Sequence, residues 1–365
     1  MEYAIAEGGD GISKFLGWRK KLAVLAGLIL IVGALFLPMT HHISAKKDPR
    51  AVDGIIDLTN WSLKNEGPVQ LNGRWSLYWN KLLTKPEMAQ ADSFKPIFAE
   101  VPGEWENNGL PGRGYATYRL TVHTLGNDGP LALRIPAIAP AYRLFVDGRL
   151  IAETGVVSSE QSSVKAAYLP QTILFSPSGN TFDLYIQIAN ELYPQGGIWF
   201  GLTLGTEPSM LSLKQRTEIV EIAVFGGCAL LGLYQIALFA MRRSDRSTLY
   251  FGICCLLGAI RIGAVGEMYI VHFYPHVDIR MLIFMEYLTY YGGVTAALLF
   301  VKELYPKDYH PTVMKWLVAI GCGFIVSVLL LPTEWYTRLI EGYKYISILS
   351  LTYILFGIGL AYWRG

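Results

Sequence analysis

The sequence predicts a membrane protein in two parts, an all-β sandwich ectodomain followed by an all-α bundle of transmembrane helices. Of its 365 residues, 52% are hydrophobic and 16% are charged, whereas an ordinary globular domain carries about 25% charged residues. The apolar residues are concentrated in long uncharged runs, one near the N-terminus and five after residue 218. The stretch between them, residues 40–217, contains no such run. Apolar and polar residues alternate in parts of it, as is typical of short strands.

The apolar runs predict six transmembrane spans. A helix needs about 20 consecutive apolar residues to cross the hydrocarbon of a bilayer. Residues 22–39 form the first predicted span, and residues 218–365 are predicted to form a bundle of five more. The five lie at about 219–241, 248–266, 281–301, 315–333 and 344–363.

The distribution of Lys and Arg predicts the orientation, because short cytoplasmic flanks and loops carry an excess of these residues. The predicted inner side holds Lys14, Arg19, Lys20, Lys21, Arg242, Arg243, Arg246, Lys302, Lys307 and Lys315, against Arg280, Arg338 and Lys344 on the outer side. Residues 1–21 are therefore predicted to be cytoplasmic. Residues 46–210 are predicted to form an extracytoplasmic domain of a multi-pass protein of the cell membrane.

The first span has two interpretations. A cleavable signal peptide fits the basic flank and the small-residue site at Ile43-Ser44-Ala45. An uncleaved anchor fits the length of the apolar run, and Pro38 with His41 and His42 makes an unusual cleavage region. We favour the anchor.

The predicted outward domain consists of short strands with turn residues between them. Strict alternation over Tyr118–His123 and Phe182–Ile188 is typical of half-buried strands. Asn72-Gly73 and Asp147-Gly148 are the dipeptides that two-residue type I′ hairpins require. Many short strands with such turns, and no long amphipathic helix, indicate a β-sandwich.

Composition and motifs exclude several classes of function. The net charge is +2, without a basic cluster that would suit a nucleic acid. All four cysteines lie in apolar runs, so a disulfide scaffold is excluded. The histidines lack the spacing of metal ligands, and no catalytic motif is present, so we predict neither a metal, nor a cofactor, nor catalytic residues. Residues 52–207 are also too few for the barrel of a glycosidase.

Several motifs resemble those of a known receptor family. In the outward domain they are Trp61, Leu71–Trp75, Val101–Trp105, Gly114–Arg119, Phe145–Gly148 and Gly196–Trp199, and in the bundle Leu233-Tyr234, Arg242–Tyr250 and Phe300–Pro306. Together they resemble the bacterial seven-transmembrane receptors with diverse intracellular signalling modules. The resemblance implies a galactose-binding-like jelly roll, similar also to the non-catalytic sugar-binding domain of family 2 glycosidases.

This resemblance also carries expectations about output. The family has seven spans after its ectodomain and then a histidine kinase, a diguanylate cyclase or a phosphatase. Because five spans follow the ectodomain here, we expect the chain to be truncated before a cytoplasmic effector module. The resemblance further implies a homodimer.

Candidate ligand residues follow from the chemistry of sugar recognition, which uses aromatic faces and a few fixed polar groups. The candidates are Trp105, Tyr115, Arg119, Tyr142, Asn190 and Trp199. A carbohydrate or a carboxylate is the expected small-molecule ligand. The alternative is that the tryptophans pack in the core and that Arg119 lies on a solvated sheet face.

Arg261 and Glu286 each interrupt one apolar run of the bundle. A charge at the centre of a span costs about 2.5–3.5 kcal/mol, so each requires a partner or water. We predict an interhelical ion pair between them, which Glu267 joins, that follows the signalling state. The alternative is a static structural pair or side chains that snorkel to the interface.

The sequence therefore predicts a transmembrane sensory receptor that works in the lipid bilayer and is not an enzyme in the residues at hand. Ligand binding to the sandwich would shift the relative positions of the helices. A membrane-anchored carbohydrate-binding protein without signalling and a transporter component are the alternatives.

Overall fold

The computed structural model of the chain describes residues 49–364, except for 127–128, 137, 139 and 275–276. The predicted cytoplasmic segment 1–21 and first span 22–39 lie outside the described residues. Within them, a β-sandwich is followed by a helical region, which confirms the predicted fold class.

Thirteen strands build the sandwich region in the described part of the chain. They are β1 (Ile55–Leu58), β2 (Val69–Gln70), β3 (Gly73–Trp79), β4 (Ile97–Val101), β5 (Gly103–Glu104), β6 (Gly114–Thr124), β7 (Leu131–Ile135), β8 (Ala141–Val146), β9 (Arg149–Thr154), β10 (Gln171–Phe175), β11 (Thr181–Asn190), β12 (Gly197–Ile198) and β13 (Thr203–Thr206). The larger sheet has the order β4-β3-β6-β11-β8-β9, with β1 parallel to β6. The facing sheet has the order β10-β7-β13-β2, and β5 pairs with β12. All pairings except β1–β6 are antiparallel.

One predicted hairpin is confirmed and the other is wrong. Asp147 and Gly148 have φ of 48° and 73°, and they join β8 to β9 with Val146 opposite Arg149. Asn72-Gly73 does not make a hairpin, because β2 pairs with β13 in one sheet and β3 pairs with β4 and β6 in the other. The chain passes between the two sheets at this point, a long-range choice that the dipeptide does not encode.

The core of the sandwich lies between the two sheets, as alternation predicts. Leu120 and Val122 of β6 are fully buried and face the same cluster as Leu133 of β7. Arg119, between Tyr118 and Leu120, lies on the opposite, partly solvated face. The period of two therefore assigns the faces of β6 correctly.

Eight helices complete the described fold, and a single short one lies within the sandwich region. They are α1 (Lys85–Ala89), α2 (Glu207–Met241), α3 (Arg246–Ala264), α4 (Tyr269–Phe273), α5 (Ile279–Leu304), α6 (Pro311–Leu330), α7 (Thr333–Arg338) and α8 (Ile340–Trp363), besides short 3-10 turns. Helices α2, α3, α5, α6 and α8 are long and apolar enough to cross a membrane. The chain is a multi-pass membrane protein. Helix α5 is central, because α3, α6, α7 and α8 all pack against it.

Helix α2 joins the sandwich to the bundle without a loop. It begins at Glu207, directly after β13, with Pro208 in its first turn. Its 35 residues correspond to about 50 Å of helix, whereas the hydrocarbon of a bilayer is about 30 Å thick. The segment 205–218 is therefore the end of β13 and the start of this helix.

Candidate functional site

The candidate site is a cavity of about 290 Å³ between the sandwich and one end of the helical bundle. We call this boundary the seam and the space the seam cavity. Its sandwich wall includes Glu104, Arg134, Tyr168, Tyr193, Trp199 and Phe200. Its helix wall includes Gly266, Met268, Glu286, Tyr287, Glu341 and Lys344. The volume lies at the small end of the range of about 300–1,000 Å³ for ligand pockets, so the cavity suits a small molecule.

Asn190 shapes the loop that carries the sandwich wall. It is fully buried at the end of β11. Its amide nitrogen lies 2.6 Å from the carbonyl oxygen of Gly112 and 3.0 Å from that of Gln195, and its Oδ1 accepts a hydrogen bond from the backbone N–H of Tyr193. One side chain thus fixes the first part of the loop that presents Tyr193 and Trp199, and joins it to Gly112.

Gly196 allows the same loop to lie directly on the core. A Cβ at this position would overlap the ring of Trp105 and the carbonyl oxygen of Gly112. The backbone N–H of Trp105 donates to the carbonyl oxygen of Gly196 at 2.8 Å. The close approach of the loop to the core therefore requires glycine at position 196, in addition to the hydrogen bonds of the Asn190 amide.

Two tyrosines of the sandwich are buried in the core of the helices. Tyr168 and Tyr193 are 7% and 6% exposed and belong to the same apolar cluster as Tyr287 and Tyr291 of α5. Their ring centroids lie 6.0 Å apart. Burial raises the pKa of both phenols well above the ordinary value, and the nearby carboxylate of Glu286 raises each further. Both hydroxyls therefore stay protonated at physiological pH.

Trp199 packs against both cores at once. It lies against the core of the sandwich and against the cluster of the helices. Its ring centroid is 5.0 Å from that of Tyr193, in an edge-to-face arrangement. Its buried Nε1 has no hydrogen-bond partner among the described residues. An unsatisfied buried donor costs about 1–3 kcal/mol, so the wall carries a polar group that a bound molecule could satisfy.

A salt bridge crosses the seam beside the cavity. Nη2 of Arg134, on β7, donates to Oε1 of Glu267, in the loop after α3. The two side chains are 13% and 6% exposed. The backbone N–H of Glu267 in turn donates to Oε2 of Glu221 on α2, at 3.3 Å. Two successive polar contacts thereby connect the sandwich, the loop after α3 and the first helix of the bundle.

The loop after α3 is shaped to make this connection. Gly266 has a φ of +80°, and a Cβ there would overlap the carboxylate of Glu221. Met268 is also in the left-handed region, with a φ of 52°. A non-glycine residue rarely adopts such a φ, so the geometry of this loop is held by its surroundings.

Further charges face each other where the last helix meets the cavity. Nζ of Lys344 donates to Oε1 of Glu341 at 2.6 Å. Glu104, on β5, lies near this pair. Partial burial raises the pKa of Glu104 above its ordinary value, the carboxylates of Glu106 and Glu341 raise it further, and Lys344 opposes them.

The six predicted ligand residues do not form one site. Trp199 lines the seam cavity, whereas Trp105 is fully buried in the sandwich core and its Nε1 donates to the hydroxyl of Tyr118 at 2.9 Å. Asn190 shapes the loop, as described above. Tyr142 is buried in the core, and Tyr115 packs against Ala141 and Ala189 beside it. The role of these residues in ligand binding stays a prediction.

Arg119 lies on the partly solvated face of the larger sheet. Its Nη2 lies 3.1 Å from Oδ2 of Asp183 in a salt bridge, and Thr121 donates to the same carboxylate. Its guanidinium lies 5.8 Å from the ring centroid of Tyr185. Arg119 is therefore not part of the wall of the seam cavity.

The structure brings Arg261 and Glu286 together, as the sequence predicts for neighbouring helices. Nη1 of Arg261 donates to the backbone carbonyl oxygen of Glu286 at 3.0 Å, and its guanidinium lies 5.3 Å from the ring centroid of Tyr290. This hydrogen bond is to the main chain of Glu286, and an ion pair between the two side chains stays a prediction. Glu267, the expected third member, is bound to Arg134 instead.

Sequence reasoning missed most of the cavity wall. Arg134, Tyr168, Tyr193, Tyr287 and Lys344 were not among the candidates, since each looks ordinary within its own segment. The one available signal was the cluster of tyrosines at 287, 290 and 291 inside an apolar span.

Among the described residues, no group of three or more His, Cys, Asp or Glu side chains is arranged to hold a metal ion.

Comparison with protein families identifies the helical region. Residues 217–365 match the family described as 7TM diverse intracellular signalling. The resemblance seen in the sequence of the bundle is therefore confirmed over these residues. No curated protein matches the chain.

Comparison with solved structures finds similarity to sugar-cleaving enzymes. The GH2 β-galacturonidase from Eisenbergiella tayi is 17% identical with a TM-score of 0.27, over 38% of this chain and 24% of that one. A β-glucuronidase from Ruminococcus gnavus is 13% identical with a TM-score of 0.29, over 40% and 30%. A β-glucuronidase from an uncultured Clostridium is 15% identical with a TM-score of 0.29, over 38% and 28%. The chain thus spans less than a third of the length of these enzymes.

Proposed function

We propose that this chain is the sensory part of a transmembrane receptor and that its ligand binds in the seam cavity. The observation that carries this proposal is the composition of the cavity wall, which is shared between the sandwich and the helices. A molecule that contacts Tyr193 and Tyr287 together has a different affinity for each relative position of the two parts. Such a difference is what a ligand requires to shift a conformational equilibrium.

The connection between sandwich and bundle supports transmission. Arg134 lies opposite Thr203 of β13, and β13 continues directly into α2. The same Arg134 holds Glu267 in the loop after α3. A change of the sandwich at the cavity would therefore move two neighbouring helices by a rigid route. The orientation proposed from the basic residues places the sandwich outside the cytoplasm.

The output remains the one implied by the resemblance, a cytoplasmic effector module driven by the bundle. The match of residues 217–365 to a family of diverse intracellular signalling supports this proposal. We propose a catalytic role for none of the described residues, since the cavity wall offers no pair of a nucleophile and a base.

Hydrogen–deuterium exchange tests the proposal. The full chain, purified in detergent, is exposed to a panel of sugars, carboxylates and amines, and exchange is followed in the sandwich loop 193–200 and in the helix loop 265–268. A ligand of the seam cavity protects both segments, and Trp199→Ala abolishes the protection. Arg119→Gln, on the far face of the sheet, leaves it unchanged. Protection confined to segments away from the seam, or no protection by any compound, contradicts the proposal.

A further inference from the structure

The charges that line the seam cavity are unevenly paired. Both of the basic residues among them have acidic partners, since Arg134 is bound to Glu267 and Lys344 to Glu341. The remaining acidic residues of the wall are Glu104 and Glu286.

Glu104 and Glu286 hold the excess negative charge. Within the part of the chain that the structure describes, their carboxylates form neither a hydrogen bond nor a salt bridge. Arg261 donates to the backbone carbonyl oxygen of Glu286, and its positive charge also attracts that carboxylate, so the larger imbalance is at Glu104. Partial burial raises the pKa of Glu104, and the carboxylates of Glu106 and Glu341 raise it further against the opposing charge of Lys344. A positive charge within the cavity would relieve this imbalance.

Aromatic rings make up much of the remaining wall. Tyr168, Tyr193, Trp199, Phe200 and Tyr287 line the cavity from both sides of the seam. The rings differ in orientation, with an angle of 38° between Tyr168 and Tyr193 and 79° between Tyr193 and Trp199. Aromatic faces attract cations, and cages of such rings bind organic ammonium ions.

We infer that the seam cavity binds a small organic ammonium ion, whose charge lies between the carboxylates of Glu104 and Glu286 and whose alkyl groups contact the aromatic rings. The inference rests on the proposed function, since it assigns a chemical class to the ligand of the same cavity. A cavity of about 290 Å³ accommodates a small amine.

The same wall disfavours the carbohydrate and carboxylate ligands expected from the sequence. An anion would have to displace Glu267 from Arg134 or Glu341 from Lys344, and would then face Glu104 and Glu286. A neutral sugar would leave the negative charge of Glu104 incompletely balanced in a partly dry site, where charge is costly.

Calorimetric titration tests the inference on the full chain in a polyoxyethylene detergent, which carries neither an ammonium group nor a sugar. The probes are tetramethylammonium, choline and the neutral neopentyl alcohol, at constant ionic strength. We expect both cations to bind. The affinity for the neutral probe should be lower by a factor of about ten or more, as the loss of one partly screened charge contact predicts.

Three variants locate the binding. Glu104→Gln and Glu286→Gln keep the shape of the side chain, and each weakens cation binding by about tenfold. Glu334→Gln is the matched control, because Glu334 lies at the same end of the bundle in a salt bridge with Arg113 at 3.0 Å and outside the cavity wall. It leaves the affinity unchanged. Glu104 lies in the sandwich, so its variant remains informative if the Glu286 variant does not fold.

The outcomes separate this inference from the proposed function. Equal binding of neopentyl alcohol, or cation binding that both Gln variants leave intact, overturns the inference. Protection of the seam by a sugar or a carboxylate, without binding of either cation, overturns it as well and leaves the seam as the ligand site. The absence of protection by every compound of the panel contradicts both.

Discussion

Arg134 of the sandwich and Glu267 of the loop after α3 form a salt bridge across the seam, 133 residues apart in the chain. Both side chains are nearly buried, and the backbone of Glu267 is in turn held by Glu221 of α2. The pair therefore connects the sandwich to the first two helices of the bundle, so a displacement of the sandwich would act on both helices. The pair joins the two parts together with the salt bridge between Arg113 and Glu334.

A double-mutant cycle on this pair should show strong coupling. Removing one partner of a buried pair leaves an uncompensated charge, which costs about 3–5 kcal/mol, so Arg134→Ala and Glu267→Ala should each lower the thermal midpoint by several degrees. The double variant should lose less than the sum of the two. Thermal unfolding of the full chain in one detergent measures all three.

The control cycle uses Arg143 and Glu153, a more exposed pair of the larger sheet, 3.7 Å apart and 38% and 57% exposed. Exposed pairs contribute about 0–1 kcal/mol, so this cycle should be close to additive. Additive losses at Arg134 and Glu267 would show that the two residues do not act as a pair.

Asn190 should be required for the loop that forms the sandwich wall. Asn190→Ala leaves the carbonyl oxygens of Gly112 and Gln195 without their donor, and each unsatisfied group costs about 1–3 kcal/mol. We expect a lower thermal midpoint and faster hydrogen exchange over residues 191–200. Asn72→Ala is the control, because that side chain makes a 2.7 Å bond to Gln70 and its own Oδ1 is already unsatisfied. If both variants lose equal stability, the loop does not depend on Asn190.

The close approach of Gly196 to Trp105 predicts a steric effect. In Gly196→Ala the added methyl group overlaps the indole and the carbonyl oxygen of Gly112, and such overpacking costs about 1–3 kcal/mol. Gly179→Ala has open space around its Cβ and should be neutral or slightly stabilising. Thermal midpoints of the two variants provide the comparison. A neutral Gly196→Ala would mean that the loop lies farther from the core.

The raised pKa of Glu104 predicts a dependence of stability on pH. Because the folded protein favours the protonated carboxyl, its contribution is fully present below the ordinary value of 4.5 and is lost as the pH rises through the folded pKa. Glu104→Gln should therefore match the native chain at pH values below 4.5 and be more stable at neutral pH. Thermal midpoints across this range measure the difference. A constant difference at all pH values would contradict the assignment.

The parts of the fold that were predictable are those with a local physical cause. Alternation assigned the faces of β6, the positive φ of Asp147 and Gly148 produced the hairpin that the dipeptide indicates, and apolar length located the five helices. The half-buried strand predicted at β11 is wrong, because Tyr185 and Gln187 on its second face are also buried and donate to the carbonyl oxygens of Met88 and Leu83. Asn72-Gly73 failed because its strands join different sheets.

The seam was not predictable in the same way. Its wall combines residues from distant segments, and neither Arg134 nor Glu267 has a local feature that reveals its partner. Trp105 and Asn190 were predicted to bind a ligand because they are an aromatic and an amide beside loops. The same properties make them suitable for packing and for fixing backbone carbonyl groups, which is where the structure places them. A site formed by two domains becomes visible only when their docking is known.

Cross-linking across the seam tests the docking most directly. Cysteines replace Arg134 and Glu267 in the full chain, in membranes, with each single variant as a control for the four native thiols. A short bismaleimide should join the two positions, and mass spectrometry should recover the linked peptides from the double variant and from neither single one. If both new thiols react with a monofunctional maleimide but no linked peptide forms, the sandwich does not dock on the helices as described.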